Sequence, residues 1–195
     1  QYVDGAQNSP AREGDLGNGT VRYAQVSADA LDPVSVLRAQ LGYGPFALIC
    51  LFATPDADFA VLARDMGAAF RGIEVVSCTT AGELGQDGYE SGQIIAVGFP
   101  ALHFTVSTQV INGLDGVDPT EVIDALIQKR MRLNRAAATL PYEFAFLMVD
   151  GLSLREEQLT DLLASGLGPT PLFGGSSGDG TDFRATFLAH NGRGY

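Results

Sequence analysis

Two segments rich in glycine and hydroxyl side chains carry the residues best suited to binding a small molecule. Residues 77–83 read Ser-Cys-Thr-Thr-Ala-Gly-Glu, residues 174–180 read Gly-Gly-Ser-Ser-Gly-Asp-Gly, and each follows an apolar run. Glycine lets backbone N–H groups approach a ligand closely, and Ser and Thr hydroxyls both donate and accept hydrogen bonds. Because α/β proteins bind ligands at strand ends, the pattern predicts a small-molecule pocket there. The residues expected to line it are Thr79, Thr80, Gly82, Glu83, Asp150, Gly174, Gly175, Ser176, Gly178 and Asp179.

Glu83 and Asp150 are the carboxylates available for a positively charged group on such a ligand. Glu83 closes the first segment, and Asp150 follows the apolar run 144–149, at an address usual for functional carboxylates in α/β folds. The same residue types also suit tight turns, in which glycine takes a positive φ and Asp or Thr side chains bond the local backbone. Ligand pocket and structural turn both stay open as interpretations at this point.

A nucleophilic hydrolase is a further interpretation, and the sequence favours it less. Residues 174–178 match the pattern Gly-x-Ser-x-Gly around Ser176, and Cys78 is a second candidate nucleophile. The pattern needs a helix directly after the serine and a later histidine with an acid before it. Residues 179–182 instead indicate a turn into a strand, and Cys78 follows a β-branched apolar run without a nearby histidine, which is typical of a buried thiol. We therefore predict that the protein is not an enzyme.

Charge and composition exclude several classes of partner. The 195 residues carry a formal net charge of −11, with a pI near 4.4. An acidic surface argues against nucleic acid or an anionic membrane as the main partner. No apolar run reaches the roughly 18 residues of a membrane span, so no membrane insertion is expected. Two cysteines without disulfide or metal-ligand spacing, and no visible signal peptide, favour a cytoplasmic location.

Four of the twelve basic residues lie within seven positions, namely Lys129, Arg130, Arg132 and Arg135. They fall at the C-terminal end of a predicted helix, where cations complement the helix dipole. A solvated helix end is the favoured interpretation, and an anion-binding site is the alternative.

The elements that must position these residues alternate between strands and helices. Residues 1–19 show almost no periodicity and predict a flexible tail, which leaves one domain over 20–195. Two β-rich runs, 93–99 and 102–111, meet at Pro100-Ala101 and predict an antiparallel hairpin. We expect an α/β fold, with a mixed, largely buried sheet, packed helices and that one hairpin. Further strands are predicted over 21–26, 46–54, 73–78, 144–149, 172–173 and 185–189, and helices over 33–41, 58–71, 153–165 and from Pro119 onward.

Taken together, four motifs make the chain resemble the FIST family. Residues 77–83, 87–89 (Asp-Gly-Tyr), 150–153 (Asp-Gly-Leu-Ser) and 174–180 occur in the order typical of FIST domains. The resemblance covers about residues 21–195 and the N-terminal part of the family, so the family's C-terminal half is expected to be missing. It implies a bacterial sensory domain that binds a small ligand, with amino acids proposed, and that passes its occupancy to a partner such as a histidine kinase, with a homodimer as a further expectation.

Some FIST proteins are haem-binding nitric oxide sensors, which makes haem an alternative ligand. Neither histidine, His103 or His190, lies in the shared motifs, so this activity does not transfer residue by residue. If haem binds, these two side chains are the candidate axial ligands. Without a Cys-x-x-Cys-His motif, the haem would be held non-covalently.

Overall fold

The computed structural model describes residues 21–85, 88–179 and 185–195. The predicted tail over 1–19, together with Asp87 and Gly180 of the sequence motifs, lies outside the described residues. Ten strands and four α-helices follow one another along the described chain. They are β1 (Arg22–Ser27), α1 (Pro33–Leu41), β2 (Phe46–Ala53), α2 (Phe59–Ala69), β3 (Glu74–Thr79), β4 (Glu83–Gly85), β5 (Gly88–Glu90), β6 (Gln93–Pro100), α3 (Pro119–Ala136), β7 (Ala145–Val149), α4 (Glu156–Leu167), β8 (Leu172–Ser176), β9 (Leu188–His190) and β10 (Arg193–Gly194).

The main sheet has six strands in the order β1-β6-β2-β3-β9-β10. Strands β2 and β3 are parallel, and the other neighbouring pairs are antiparallel. The core of this sheet is built from apolar side chains of β2, β6 and the two helices α1 and α2, among them Ile49, Ile94, Leu37 and Met66, none more than 1% exposed. The mixed sheet with packed helices confirms the predicted α/β class.

A second, smaller sheet consists of the parallel strands β7 and β8. Helices α3 and α4 cover one of its faces, and a separate core of buried side chains, including Val149, Val122 and Leu163, lies between. The opposite face carries aromatic side chains: Phe146 and Phe173 are 38% and 52% exposed, with ring centroids 5.3 Å apart. Phe52 of the main sheet meets Phe146 edge-on at 6.4 Å, so the two sheets touch through this pair of rings.

Aspartate caps explain why three helices begin where the sequence predicts. Asp32 and Asp58 each accept a hydrogen bond from a backbone N–H three residues later, at 3.1 Å. Asp118 accepts one from Thr120 N at 2.8 Å, and Pro119 follows it in the first turn of α3. An N-cap carboxylate satisfies a backbone donor that has no partner inside the helix, and proline at the first helical position lacks that donor altogether.

The predicted hairpin at Pro100-Ala101 is wrong. Residues 102–111 form no strand, and β6 pairs instead with β1 and β2. The reason is a tight turn, in which the N–H groups of His103 and Phe104 both donate to Pro100 O at 3.0 Å and carry the chain away from the sheet. Antiparallel hairpins occur elsewhere, between β4 and β5 and between β9 and β10.

Two local boundaries also differ from the sequence expectation. Helix α4 begins at Glu156 with Arg155 as its N-cap, because Leu154 takes a φ of +53° and Ser153 Oγ donates to Asp150 O at 2.6 Å instead of forming a capping box. The second glycine-rich segment begins as strand, since β8 runs through Ser176.

Candidate functional site

The carboxyl ends of β3, β7 and β8 meet where the two sheets adjoin. Directly after β8, Ser177 N donates to Val149 O at 2.7 Å, and Gly178 N donates to Thr79 O at 3.0 Å. Two consecutive residues therefore bind the last residue of β7 and the last residue of β3. The structure thus brings the first glycine-rich segment, Asp150 and the second segment to one place, as the sequence pattern predicts for strand ends.

The two threonines use much of their hydrogen-bonding capacity on the backbone. Thr79, 1% exposed, exchanges bonds with Phe187: Thr79 N donates to Phe187 O at 3.0 Å, and Phe187 N donates to Thr79 Oγ1 at 3.1 Å. Thr80 N donates to Ala53 O at 3.0 Å. Thr79 therefore holds the segment before β9 against β3, which supports the turn interpretation for that hydroxyl.

Glu83 is the residue of this site with an unsatisfied hydrogen-bond acceptor among the described residues. It is 3% exposed, and its Oε1 accepts a hydrogen bond from Thr80 Oγ1 at 2.5 Å. Its Oε2 is buried and has no hydrogen-bond partner among the described residues. A buried polar atom left without a partner costs about 1–3 kcal/mol, and more when the group is charged. Such an oxygen is a vacant acceptor position at the end of β3.

Backbone approaches around Glu83 leave no room for larger residues. A Cβ on Gly178 would lie 2.9 Å from both the N and the Cβ of Ala81, so glycine is required for these two segments to touch. Tyr89 of β5 reaches back over Gly82, where an added Cβ would lie 2.0 Å from its Oη, and this hydroxyl donates to Ala81 O at 3.1 Å. The Tyr89 side chain is 72% exposed and forms the outer surface of the site.

Asp150, Ser176 and Asp179 each have protein partners. Asp150 Oδ1 accepts from Leu152 N at 2.9 Å and from the Thr186 hydroxyl, so this oxygen joins the turn after β7 to the segment before β9. Ser176 Oγ donates to Glu156 Oε1 at 2.9 Å in the first turn of α4. Asp179 Oδ2 accepts from Ala185 N at 2.9 Å.

The paired glycines of β8 differ in what surrounds them. Gly174 has a φ of +146°, and a Cβ there would lie 2.0 Å from Leu147 O of β7. Gly175 has nothing within 4 Å of an added Cβ. Gly174 is thus required by the close contact of β8 with β7, while Gly175 leaves open space on the exposed aromatic face.

The comparison with protein families decides the identity of this arrangement. The FIST N domain matches residues 47–195, which is most of the chain and includes every residue of the predicted site. The chain belongs to the FIST family. This confirms the resemblance seen in the sequence motifs, and it makes the chain a sensory domain of the kind found in signal transduction. Among the curated proteins and among the solved structures, none is significantly similar to this FIST chain.

Two clefts along helix α3 are lined by no residue of the glycine-rich segments of this FIST domain. One, of about 370 Å³, is lined by residues of 105–107 and of the end of α3. The other, of about 280 Å³, is lined by residues of 109–112 and of the start of α3. Both clefts are open grooves, and neither is lined by Glu83.

Three features of the FIST structure bear on the two candidate nucleophiles, Cys78 and Ser176. Burial raises the pKa of the Cys78 thiol to about 12, so the thiolate that a nucleophile requires is suppressed near neutral pH. Ser176 is followed by no helix in the described residues up to 179. His190 pairs with Val76 of β3, which lies three residues or roughly 10 Å from Thr79 at about 3.3 Å per strand residue, and its ring contacts Glu74 at the start of β3. The His190 ring is therefore directed toward the amino end of β3, away from the strand ends where the glycine-rich segments meet.

The two candidate haem ligands lie in different surroundings in this FIST domain. His190 Nε2 lies 2.6 Å from Glu74 Oε2 and 3.1 Å from Thr108 Oγ1, so ligation through this nitrogen would break a carboxylate pair. The same contacts lower the pKa of Glu74 against the opposing effect of its burial, which is the largest single influence. His103 is exposed in the turn after β6. Neither ring lines the clefts along α3.

The described ranges 21–85, 88–179 and 185–195 contain neither a candidate metal site nor a candidate membrane-spanning helix. No cluster of three or more His, Cys, Asp or Glu side chains there could hold a metal ion. No helix among those residues is both long and apolar enough to cross a membrane.

Sequence reasoning missed several residues that build the FIST site. Ser177 is 5% exposed; its Oγ donates to Val149 O at 3.1 Å and accepts from Gly151 N at 3.3 Å, so it ties β7 to β8. Thr186 and Phe187 bind Asp150 and Thr79 from the far end of the chain. Ser177 belongs to the second glycine-rich segment, which is a signal that could have indicated it. No sequence pattern around Thr186 predicts a role, because only the tertiary fold brings it to Asp150.

Proposed function

We propose that this FIST domain senses a small molecule that donates an N–H hydrogen bond, best from a protonated amine, to Glu83. The observation that carries the proposal is the buried Oε2 of Glu83, which has no hydrogen-bond partner within the described part of the chain, while Oε1 accepts from the Thr80 hydroxyl. An ammonium group placed there would complete the coordination of the carboxylate and neutralise its charge, which makes the hydrogen bond stronger than one between neutral groups.

The remaining polar groups of the ligand would meet the surrounding segments. Asp150 and Asp179 supply further carboxylates, and the 176–178 segment supplies hydroxyls and backbone close to Ala81. Entry to Glu83 would follow rotation of the exposed Tyr89 side chain, which is held over Gly82 through Ala81 O. Tyr89→Phe removes that hydrogen bond and retains the ring, so it should speed ligand association.

Signalling would arise from the position of the site between the two sheets. A ligand shifts a conformational equilibrium only by the difference between its affinities for the two states. Because residues 177 and 178 bind β7 and β3 respectively, a ligand at Glu83 that moves this peptide would alter how the sheets meet. That change would be passed to a partner signalling protein, such as a histidine kinase, or to a second copy of the chain.

The test is a thermal-shift and calorimetric screen of primary amines, including amino acids, against wild type and Glu83→Gln. Glu157→Gln is the matched control, because Glu157 is an exposed carboxylate of α4 that is not one of the predicted site residues. We expect at least one amine to raise the melting temperature of wild type and of Glu157→Gln but not of Glu83→Gln. A ligand that binds all three proteins equally, or a screen in which no amine binds wild type, contradicts the proposal.

A further inference from the structure

The cleft of about 370 Å³ lies between the segment after β6 and the last turns of α3. Its volume is within the range of small-molecule sites, although it is open on one side. The residues that line it are Thr105, Val106, Ser107, Lys129, Arg132, Leu133 and Ala136. Two are cations, two carry hydroxyls, and none is acidic. In a chain with 23 acidic and 12 basic residues, a lining of this kind runs against the overall charge.

The geometry of α3 separates the basic run of the sequence into two roles. Arg130 faces the α4 side, where its Nε and Nη2 each donate to Glu143 at 2.8 Å and its Nη1 donates to Gly166 O at 3.0 Å. Lys129, Arg132, Leu133 and Ala136 follow the spacing i, i+3, i+4, i+7 and so form one stripe that faces the cleft. The run is therefore more than a solvated helix end.

The donors in the cleft are partly engaged and partly available. Lys129 Nζ donates to Thr108 O at 2.6 Å, which fixes the ammonium beside residues 105–108 and leaves two of its three donors. Arg132 Nε donates to Gln128 O at 3.2 Å, and the Nη groups have no partner in the part of the chain that the structure describes. The hydroxyl of Thr108 donates to Glu74, and this carboxylate also contacts His190.

We propose that this cleft binds the oxyanion group, phosphoryl or carboxylate, of a small molecule, between Lys129 and Arg132 and the hydroxyls of Thr105 and Ser107. The guanidinium offers paired N–H donors that match the oxygens of such a group, and the ammonium adds a point charge. The cleft lies along α3, and its lining shares no residue with the Glu83 site, so the proposal stands independently of the ligand proposed there.

The test is calorimetric titration of the 195-residue chain with inorganic phosphate, against sodium chloride of the same ionic strength. Arg132→Gln removes the charge from the cleft, and Arg38→Gln removes one from an exposed position of α1 as the matched control. We expect saturable binding to wild type, about tenfold weaker in Arg132→Gln, because a hydrogen bond to a charged group contributes about that factor. Binding to Arg38→Gln should equal wild type.

Two results would overturn the proposal. One is the absence of saturable binding to wild type, which would show that the cleft is only a solvated groove. The other is an equal loss of affinity in Arg132→Gln and Arg38→Gln, which would show a general response to net charge. Amide chemical shifts of residues 105–107 on phosphate addition provide a second measurement, in which Arg132→Gln should need about tenfold more phosphate than wild type for the same change.

Discussion

Replacing Glu83 by glutamine tests whether the vacant acceptor oxygen is real. In the free protein, glutamine keeps one oxygen for the Thr80 hydroxyl and removes the charge from a side chain that is 3% exposed. An unpartnered buried group costs about 1–3 kcal/mol when neutral, and more when charged. The amide that takes the place of Oε2 is also buried but carries no charge, so the substitution should raise the free energy of unfolding by about 1–2 kcal/mol.

The assay is reversible denaturation in urea together with calorimetry, on protein that has been unfolded, dialysed and refolded to remove any bound ligand. For a domain of this size, each kcal/mol corresponds to about 2–4 °C in melting temperature, so the rise should be roughly 2–8 °C. Glu157→Gln, at an exposed site, should change stability by less than about 0.5 kcal/mol.

A stabilised but non-binding Glu83→Gln protein would mean that the carboxylate is retained for its ligand at the expense of stability, as is common at functional sites. The reasoning is refuted if Glu83→Gln lowers the free energy of unfolding by about 1 kcal/mol or more, since that size of loss indicates a removed hydrogen bond. In that case Oε2 already has a satisfying partner in solution.

Three further predictions follow from contacts elsewhere. Gly174→Ala should destabilise the chain strongly or prevent folding, because its Cβ would lie 2.0 Å from a carbonyl oxygen, whereas Gly175→Ala should be tolerated, as circular dichroism melting curves of the pair will show. Cys50 and Cys78 should stay unreactive toward a thiol reagent at pH 8 until denaturant is added, because burial raises the pKa of each thiol to about 12. The hydrogen bond from Arg130 lowers the pKa of Glu143. The ionised Glu143 therefore contributes to stability above a pH of about 4.5, and this contribution is lost as pH falls through the lowered pKa. Glu143→Gln should flatten the decline in unfolding free energy between about pH 6 and about pH 3.

The parts of the fold that depend on neighbouring residues could be predicted from the sequence. The caps at Asp32, Asp58 and Asp118 are local hydrogen bonds, and the strands β2 and β7 are marked by their own apolar runs. The order of the strands in the sheet could not be predicted from the sequence, because β6 lies between β1 and β2 through contacts that are far apart along the chain. The same holds at the site, where the placement of strand ends was predictable but the burial of Glu83 was not.

The failed hairpin illustrates the limit in physical terms. Residues 102–111 have a β-rich composition, which indicates only that their side chains suit a pleated surface. Two hydrogen bonds to Pro100 O turn the chain away from the sheet, so these residues do not pair with β6. Thr186 is a contact that no local pattern predicts, because its hydrogen bond to Asp150 spans 36 positions of the sequence.

The bonds made by Ser177 N and Gly178 N act mechanically as a pivot. Neighbouring peptide groups anchor different sheets, so the carboxyl ends of β3 and β7 cannot separate without breaking one of two short hydrogen bonds. For a five-residue strand about 16 Å long, a tilt of about 5° around that anchor moves the opposite end by about 1.4 Å. A displacement too small to disturb the bonds at the pivot is thereby magnified at the amino ends of β7 and β8.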